Sequence, residues 1–204
     1  MIRRFFLTLV VVLTTLQAAP ADSLSAALSP SDIVRQFQST LLAVMKEAKA
    51  TNVRQRFDSL STSVRQSFHL PLMTQIAAGS YWNKATPTEQ GNLVSAFTRM
   101  SISTLATLFD GYSGEVFKVV DEKPGPQQTR LVVTKLIKSD HSSVDIAYVA
   151  RSFPEGWRII DVIVDNGISE LMVRRSEYRL VLKNKGIPGL VSLLNDKADE
   201  LISQ

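Results

Sequence analysis

The chain has 204 residues, 45% of them hydrophobic, and its 23 Lys and Arg against 19 Asp and Glu give a formal net charge of +4. The absence of cysteine excludes disulfides, thiol nucleophiles and cysteine zinc sites. No stripe of basic residues stands out, which argues against nucleic acid as a partner.

The N-terminus has the three parts of a secretory signal peptide. Two arginines precede the apolar run Phe5–Leu16, and Ala19-Pro20-Ala21 supplies small residues before a cleavage site. This run is shorter than the ~20 residues that a membrane span needs. We therefore expect residues 1–21 to be removed on export, with cleavage after Ala18 as the alternative. Without a cysteine to carry a lipid anchor, residues 22–204 are expected to form one untethered domain.

Helical patterns dominate residues 31–110. Apolar residues three and four positions apart predict a first helix capped by Ser31 or Asp32. The same spacing predicts a second helix over Asn52–Phe68 and a short third helix over Leu70–Gly79.

A long fourth helix has the clearest start signal in the chain, at Thr86-Pro87-Thr88-Glu89. Thr86 suits the N-cap, Pro87 suits the first helical position, and Glu89 completes a capping box. Asp110-Gly111 is expected to end this helix.

Residues 115–164 change to short β-branched segments separated by turn sequences, which predicts an antiparallel meander. The fourth segment is apolar on both faces and is expected to be central or covered on both sides. The predicted strands are Glu115–Val120, Arg130–Lys138, Ser143–Arg151 and Trp157–Val164.

Two amphipathic helices, Ser169–Lys185 and Pro188–Ile202, are predicted within residues 168–203, with Gly186 between them. Helices, then a sheet, then helices indicate an α+β fold. We expect a twisted antiparallel sheet of about four strands, wrapped by about six to seven helices that enclose an apolar cavity.

Residues with catalytic chemistry are few. The two histidines, His69 and His141, are too few and too isolated to predict a metal site, and no catalytic or phosphate-binding motif is present. Asp161 lies within an apolar strand, where it could act as a general acid or base. The alternative is a structural role, in which Asp161 accepts hydrogen bonds from the backbone or from a nearby arginine. We expect no catalytic residue, no metal and no cofactor.

Several ordered blocks of sequence resemble the MlaC family of periplasmic phospholipid-binding proteins, which work with ABC-type lipid transporters and are also described as toluene-tolerance proteins. The blocks are Phe68-His69-Leu70-Pro71-Leu72-Met73 with Gly79-Ser80-Tyr81-Trp82, Thr88-Glu89-Gln90 with Phe97 and Leu105, Phe109-Asp110-Gly111-Tyr112-Ser113-Gly114, Trp157-Arg158-Ile159-Ile160-Asp161-Val162 with Gly167-Ile168-Ser169, Tyr178-Arg179, and Gly186-Ile187 with Leu190 and Leu194. Their form is most similar to the hopanoid-associated branch, HpnM. His69 departs from the family's usual acid after Phe68.

The resemblance implies an NTF2-like sheet with helices around a lipid cavity, and a monomeric periplasmic carrier without enzymatic activity. Phospholipid or a hopanoid would be the cargo, and it would move between an inner-membrane ABC/MCE-type complex and an outer-membrane lipoprotein–porin complex. The alternatives are an NTF2-like periplasmic enzyme and a structural or adaptor protein that binds no lipid. The residues expected to line the cavity are Phe68, Met73, Ile76, Tyr81, Trp82, Phe97, Leu105, Leu108, Phe109, Tyr112, Val133, Ile146, Tyr148, Trp157, Ile160, Val162, Leu171 and Tyr178.

Overall fold

The computed structural model of the chain describes residues 28–165 and 167–203, so the predicted signal peptide lies outside it. These ranges form an α+β fold, as the sequence predicts, with five α-helices and a five-stranded antiparallel sheet. The helices are α1 (Pro30–Glu47), α2 (Val53–Ser67), α3 (Leu70–Ala78), α4 (Pro87–Leu108) and α5 (Glu170–Ile202). The strands are β1 (Val116–Pro124), β2 (Arg130–Ile137), β3 (Ser143–Phe153), β4 (Gly156–Val164) and β5 (Ile168–Ser169).

Local capping explains where the helices begin. The predicted capping box of Thr86 and Glu89 is present at α4. The first helix starts earlier than predicted, because Ser29 rather than Ser31 or Asp32 is its N-cap, with Pro30 at the first helical position. The side chain of Asp32 accepts a hydrogen bond from the backbone N–H of Ser29, which completes a second capping box.

The C-terminal helix α5 spans both helices predicted for this region. It is kinked at Gly186, whose φ of 63° and ψ of −164° are not helical. Glycine takes this positive φ without a steric penalty, so the break falls where the sequence places it. The described chain therefore has five α-helices, fewer than the expected six to seven, and eight helical segments when its three short 3₁₀ segments are included. These 3₁₀ segments are Ala48–Ala50, Gly79–Lys84 and Pro126–Gln128.

The sheet is a meander in which each strand pairs with the next, in the order β1-β2-β3-β4-β5. The first strand is longer than predicted and runs through a bulge at Val120 into charged residues. Those charges are tolerated because the strand lies at the edge of the sheet. Glu122 accepts hydrogen bonds from the Ser31 hydroxyl at 2.5 Å and from Arg130 Nε at 3.0 Å, which ties β1 to the start of α1.

The fourth strand lies between β3 and β5 and is not at the centre of the sheet order. None of its residues is exposed, so the second expectation, a covered strand, is the one that fits. β5 pairs with it only at Ile163 and Val164. The chain between α2 and α3 covers the other end, where Phe68 forms a parallel bridge to Ile159. The backbone N–H of His69 also donates to the Ile159 carbonyl at 2.9 Å. Ile159 is consequently buried, although it is close to the sheet edge.

Helices cover one face of the sheet in two layers. Helix α1 contacts all four long strands, while α2, α3 and α5 each contact β4. Helix α4 packs against α2, α3 and α5 instead. The hydrophobic core is one contiguous cluster that extends from the inner face of the sheet through α1 to α4 and α5.

Candidate functional site

A row of aromatic side chains fills the interface between α1 and the sheet. The Phe37 ring meets the Phe68 ring edge-on, with centroids 4.8 Å apart, and it also meets the Tyr148 ring at 6.2 Å. Each such pair contributes about 1 kcal/mol beyond the area that it buries. All three side chains are buried, so this row holds α1 against the strands.

A small polar network lies inside this apolar layer. The buried amide of Gln38 donates to the Thr134 hydroxyl at 3.1 Å and to the Tyr148 hydroxyl at 3.4 Å. Thr134 in turn donates to the Ile146 carbonyl at 2.9 Å. Burial raises the pKa of Tyr148 to about 12, and the hydrogen bond from Gln38 opposes that shift. The network therefore stays neutral at physiological pH, as an apolar interior requires.

A groove of about 380 Å³ opens between α1 and the edge strand β1. It reaches inward to Gln38, so its floor adjoins the polar network. This volume is at the lower end of the range for small-molecule sites. The lining residues are Arg35, Gln38, Ser39, Leu42, Val116, Phe117, Lys118 and Val119.

A second pocket, of about 300 Å³, lies between α3 and the turn that joins β3 to β4. His69 stacks on Phe153 at its wall, with ring centroids 4.0 Å apart. Nδ1 of His69 also accepts a hydrogen bond from the Leu72 backbone N–H at 3.1 Å, so His69 is the N-cap of α3. The pocket is lined by His69, Pro71, Leu72, Gln75, Trp82, Arg151, Ser152, Phe153 and Pro154.

The residues predicted to line a lipid cavity lie mostly in the packed core. Of this set, Trp82 lines one of the two pockets. The buried members are Phe68, Phe97, Ile146, Tyr148, Leu171 and Tyr178. The half-buried members that pack against the core are Met73, Ile76, Tyr81, Trp82, Leu105, Phe109, Trp157 and Val162. Tyr112, Val133 and Ile160 are half-buried outside that cluster.

Two predicted positions do not face the interior. Leu108, at the end of α4, is 67% exposed. Val133 lies between Val132 and Thr134, which are both fully buried, and alternate residues of a strand point to opposite faces. Val133 therefore points away from α1, because the side chain of Thr134 contacts Gln38 of that helix.

The predicted cavity residues leave out Phe37, Gln38 and Thr134, which the structure places at the centre of the interface. One signal for them is present in the sequence. Gln38 is a long polar side chain directly after Phe37, on a helix whose other buried positions are almost all apolar. A polar residue at such a position indicates a buried hydrogen-bond partner elsewhere in the fold.

Asp161 has a structural role, one of the two roles considered from the sequence. Its carboxylate accepts hydrogen bonds from the Val162 N–H at 2.8 Å, the Leu171 N–H at 3.1 Å and the Ser169 hydroxyl at 2.6 Å. Ser169 is the N-cap of α5 and accepts from the Met172 N–H at 3.0 Å. The carboxylate thus anchors the start of α5, and among the described residues no arginine donates a hydrogen bond to it.

The described residues offer no group of three or more His, Asp or Glu side chains that could hold a metal ion. The helices of residues 28–165 and 167–203 also include none that is both long enough and apolar enough to cross a bilayer.

The architecture matches that of a solved structure. A solved phospholipid-binding protein from Ralstonia solanacearum, in complex with a phospholipid, has the same fold with a TM-score of 0.74. The two sequences are 20% identical, and the match covers 85% of this chain and 99% of that chain. The family model described as MlaC protein matches residues 35–196. The chain therefore belongs to the MlaC family.

Proposed function

We propose that the protein is a non-catalytic lipid carrier that binds phospholipid. Membership of the MlaC family is the observation that carries this proposal. The related fold of the Ralstonia solanacearum protein, which was solved with a phospholipid, supports it. The use of Asp161 as an anchor for α5 also favours a binding role over a catalytic one.

The acyl tails, in this proposal, separate α1 from the inner face of the sheet and replace the close packing of Phe37 against Phe68 and Tyr148. The groove beside β1 would receive the ends of the tails, because Leu42, Phe117 and Val119 give its mixed lining an apolar part. Burying one methylene is worth about 0.8 kcal/mol, so a tail of about 15 methylenes gains on the order of 12 kcal/mol by leaving water. A carrier must cover nearly all of that tail, which favours the interior over the protein surface.

We also propose the setting in which the carrier works. The predicted signal peptide indicates export to the periplasm, where a domain without a lipid anchor can move between two membranes. An inner-membrane ABC/MCE-type complex and an outer-membrane lipoprotein–porin complex are the proposed partners. A hopanoid is the alternative cargo, as the resemblance to the HpnM branch suggests.

Bound lipid is the direct test of this function. The protein is purified from the periplasm, extracted with organic solvent and analysed by mass spectrometry. We expect phospholipid in near-stoichiometric amount, and exchange of labelled phospholipid with vesicles. Repeated failure to find lipid, together with no exchange, would contradict the proposal. A hopanoid in place of phospholipid would instead change the assigned cargo.

The position of the tails is tested by Phe117→Glu, which introduces a charge into the groove. We expect less bound lipid by several-fold, because an ionised carboxylate against acyl tails loses its hydration. Val120→Glu is the matched control, since Val120 is on the same strand, is 50% exposed and does not line the groove. Equal lipid retention by the two folded variants would rule out this path for the tails.

A further inference from the structure

The pocket between α3 and the β3–β4 turn is rich in hydrogen-bond donors. Nδ1 of His69 accepts the Leu72 N–H, so a neutral His69 ring carries its proton on Nε2 and can donate there. The lining also holds the Gln75 amide, the Ser152 hydroxyl, the Trp82 indole and the Arg151 guanidinium, but no carboxylate. Such a lining suits a ligand that accepts hydrogen bonds and carries negative charge.

The β3–β4 hairpin beside this pocket carries two arginines. Arg151 and Arg158 are directly paired across β3 and β4. Neither forms an ion pair within the described chain, and Arg158 Nη1 donates to its neighbour's carbonyl, that of Trp157, at 2.8 Å. Like charges directly opposite each other destabilise a hairpin. An anion bound between or beside them would remove that cost.

Within the described part of the chain, the groove beside β1 offers no unpaired guanidinium, although Lys118 also lines it. Its arginine, Arg35, is already paired with Asp32 at 3.1 Å. The donor-rich pocket is also next in the chain to the apolar interior, because His69 directly follows Phe68, which packs against Phe37. A ligand with a charged end and an apolar end could therefore place the charged end here.

We propose that this pocket binds the phosphate group of the lipid's head group, with Arg151 and Arg158 as its cationic partners. This inference rests on the proposed function of lipid carriage. Arginine is well suited to the task because its planar guanidinium makes paired hydrogen bonds to phosphate oxygens. Trp82, Leu72 and Phe153 supply the apolar part of the lining, where the first carbons of the head group would lie.

The first experiment measures phosphate binding by lipid-free protein. Glycerol phosphate and inorganic phosphate are titrated separately while the NMR signal of the Trp82 indole N–H is followed. We expect saturable shifts that become at least about tenfold weaker in affinity in Arg151→Gln/Arg158→Gln, because charge-assisted hydrogen bonds are lost. Arg54→Gln is the matched control, since Arg54 lies near the far end of α2, about 20 Å from Ser67 by the helical rise. Equal affinity in the double variant would overturn the proposal.

The second experiment measures lipid retention after incubation with phosphatidylglycerol vesicles. The double variant should retain several-fold less phosphatidylglycerol than either the wild type or Arg54→Gln. If it loses phosphate binding but retains lipid normally, the pocket serves a free phosphate compound and the head-group assignment is overturned. A wild type that binds phosphate through these arginines but carries no lipid would contradict the carrier function and leave the phosphate site standing.

His69→Asp separates the binding role of His69 from its role as a helix cap. Aspartate is a good N-cap, so this variant should fold with little loss of stability. It also places a carboxylate in the pocket, so phosphate affinity should fall by about tenfold or more. A variant that folds and still binds phosphate with unchanged affinity would contradict the site.

Discussion

Buried hydroxyl groups differ in how well they are satisfied in this protein. Thr74 and Thr98 are both about 1% exposed. The Thr74 hydroxyl donates to the Leu70 carbonyl at 2.8 Å, whereas Oγ1 of Thr98 has no hydrogen-bond partner among the described residues. An unsatisfied buried hydroxyl costs free energy because its hydrogen bonds to water have been lost.

Thr98→Val is therefore expected to leave the free energy of unfolding unchanged or to raise it by up to about 1 kcal/mol. Thr74→Val, the matched variant, should lower it by about 1 kcal/mol, because a buried hydrogen bond is lost. Chemical denaturation of both variants checks the difference. Destabilisation of equal size at both sites would show that Thr98 has a partner in solution.

At the scale of elements, α5 depends on groups that lie outside the helix. Asp161 on β4 accepts the Leu171 N–H and also holds the Ser169 hydroxyl, which caps the Met172 N–H. Backbone N–H groups at a helix start have no partners within the helix. Anionic acceptors placed there also interact favourably with the helix dipole. The strand and the helix are thus joined at one carboxylate.

Asp161→Ala should lower the free energy of unfolding by about 2 kcal/mol, because the helix start and the Ser169 hydroxyl lose their acceptor. Asp145→Ala is the control, since Asp145 makes an exposed ion pair with Lys135 at 2.6 Å. Such pairs contribute less than about 1 kcal/mol. Urea denaturation compares the two, and similar small losses would argue against the anchoring role of Asp161.

Element boundaries were predictable where the signal is local. The capping box at Thr86 and the break at Gly186 depend on neighbouring residues, and both are present in the structure. The strand β5 has two residues, too few to show a period in the sequence. The charged end of β1 carries no apolar pattern from which a strand could be predicted. It is held instead by contacts of Glu122, one of them with Ser31, which is distant in sequence.

The whole molecule shows why the fold was easier to predict than the site. In β2 both faces carry apolar residues, so composition could not separate the core-facing Val132 from the outward-facing Val133. The donors of the α3 pocket come from segments far apart in sequence, such as His69 and Arg151. They lie close together only in the folded chain, and no spacing in the sequence predicts that proximity.

The burial of two tyrosines, Tyr148 and Tyr178, should make the stability of the fold depend on pH in the alkaline range. Burial raises the pKa of Tyr148 to about 12 and likewise raises the pKa of Tyr178 to about 12. Below about pH 10 both tyrosines keep their protons in the folded and unfolded states, so neither makes stability depend on pH. Between about pH 10 and 12 the unfolded state ionises first. Stability should therefore fall as pH rises, by up to about 1.4 kcal/mol per pH unit for each tyrosine.

Guanidinium denaturation from pH 9 to 11.5 measures this slope. Comparison of the wild type with Tyr148→Phe/Tyr178→Phe cancels the contributions of lysines that both proteins share. The slope should be shallower in the double variant. Identical pH profiles would show that these hydroxyls are not buried as described.

The capping boxes of α1, α2 and α4 have a kinetic consequence. Each is closed by side chains three positions apart, Ser29 with Asp32, Asn52 with Gln55 and Thr86 with Glu89. Every strand also pairs with its neighbour in sequence. Contacts so close along the chain need little loop closure, which favours rapid folding. If the predicted signal peptide directs the unfolded chain across a membrane, these local contacts would favour rapid folding after export.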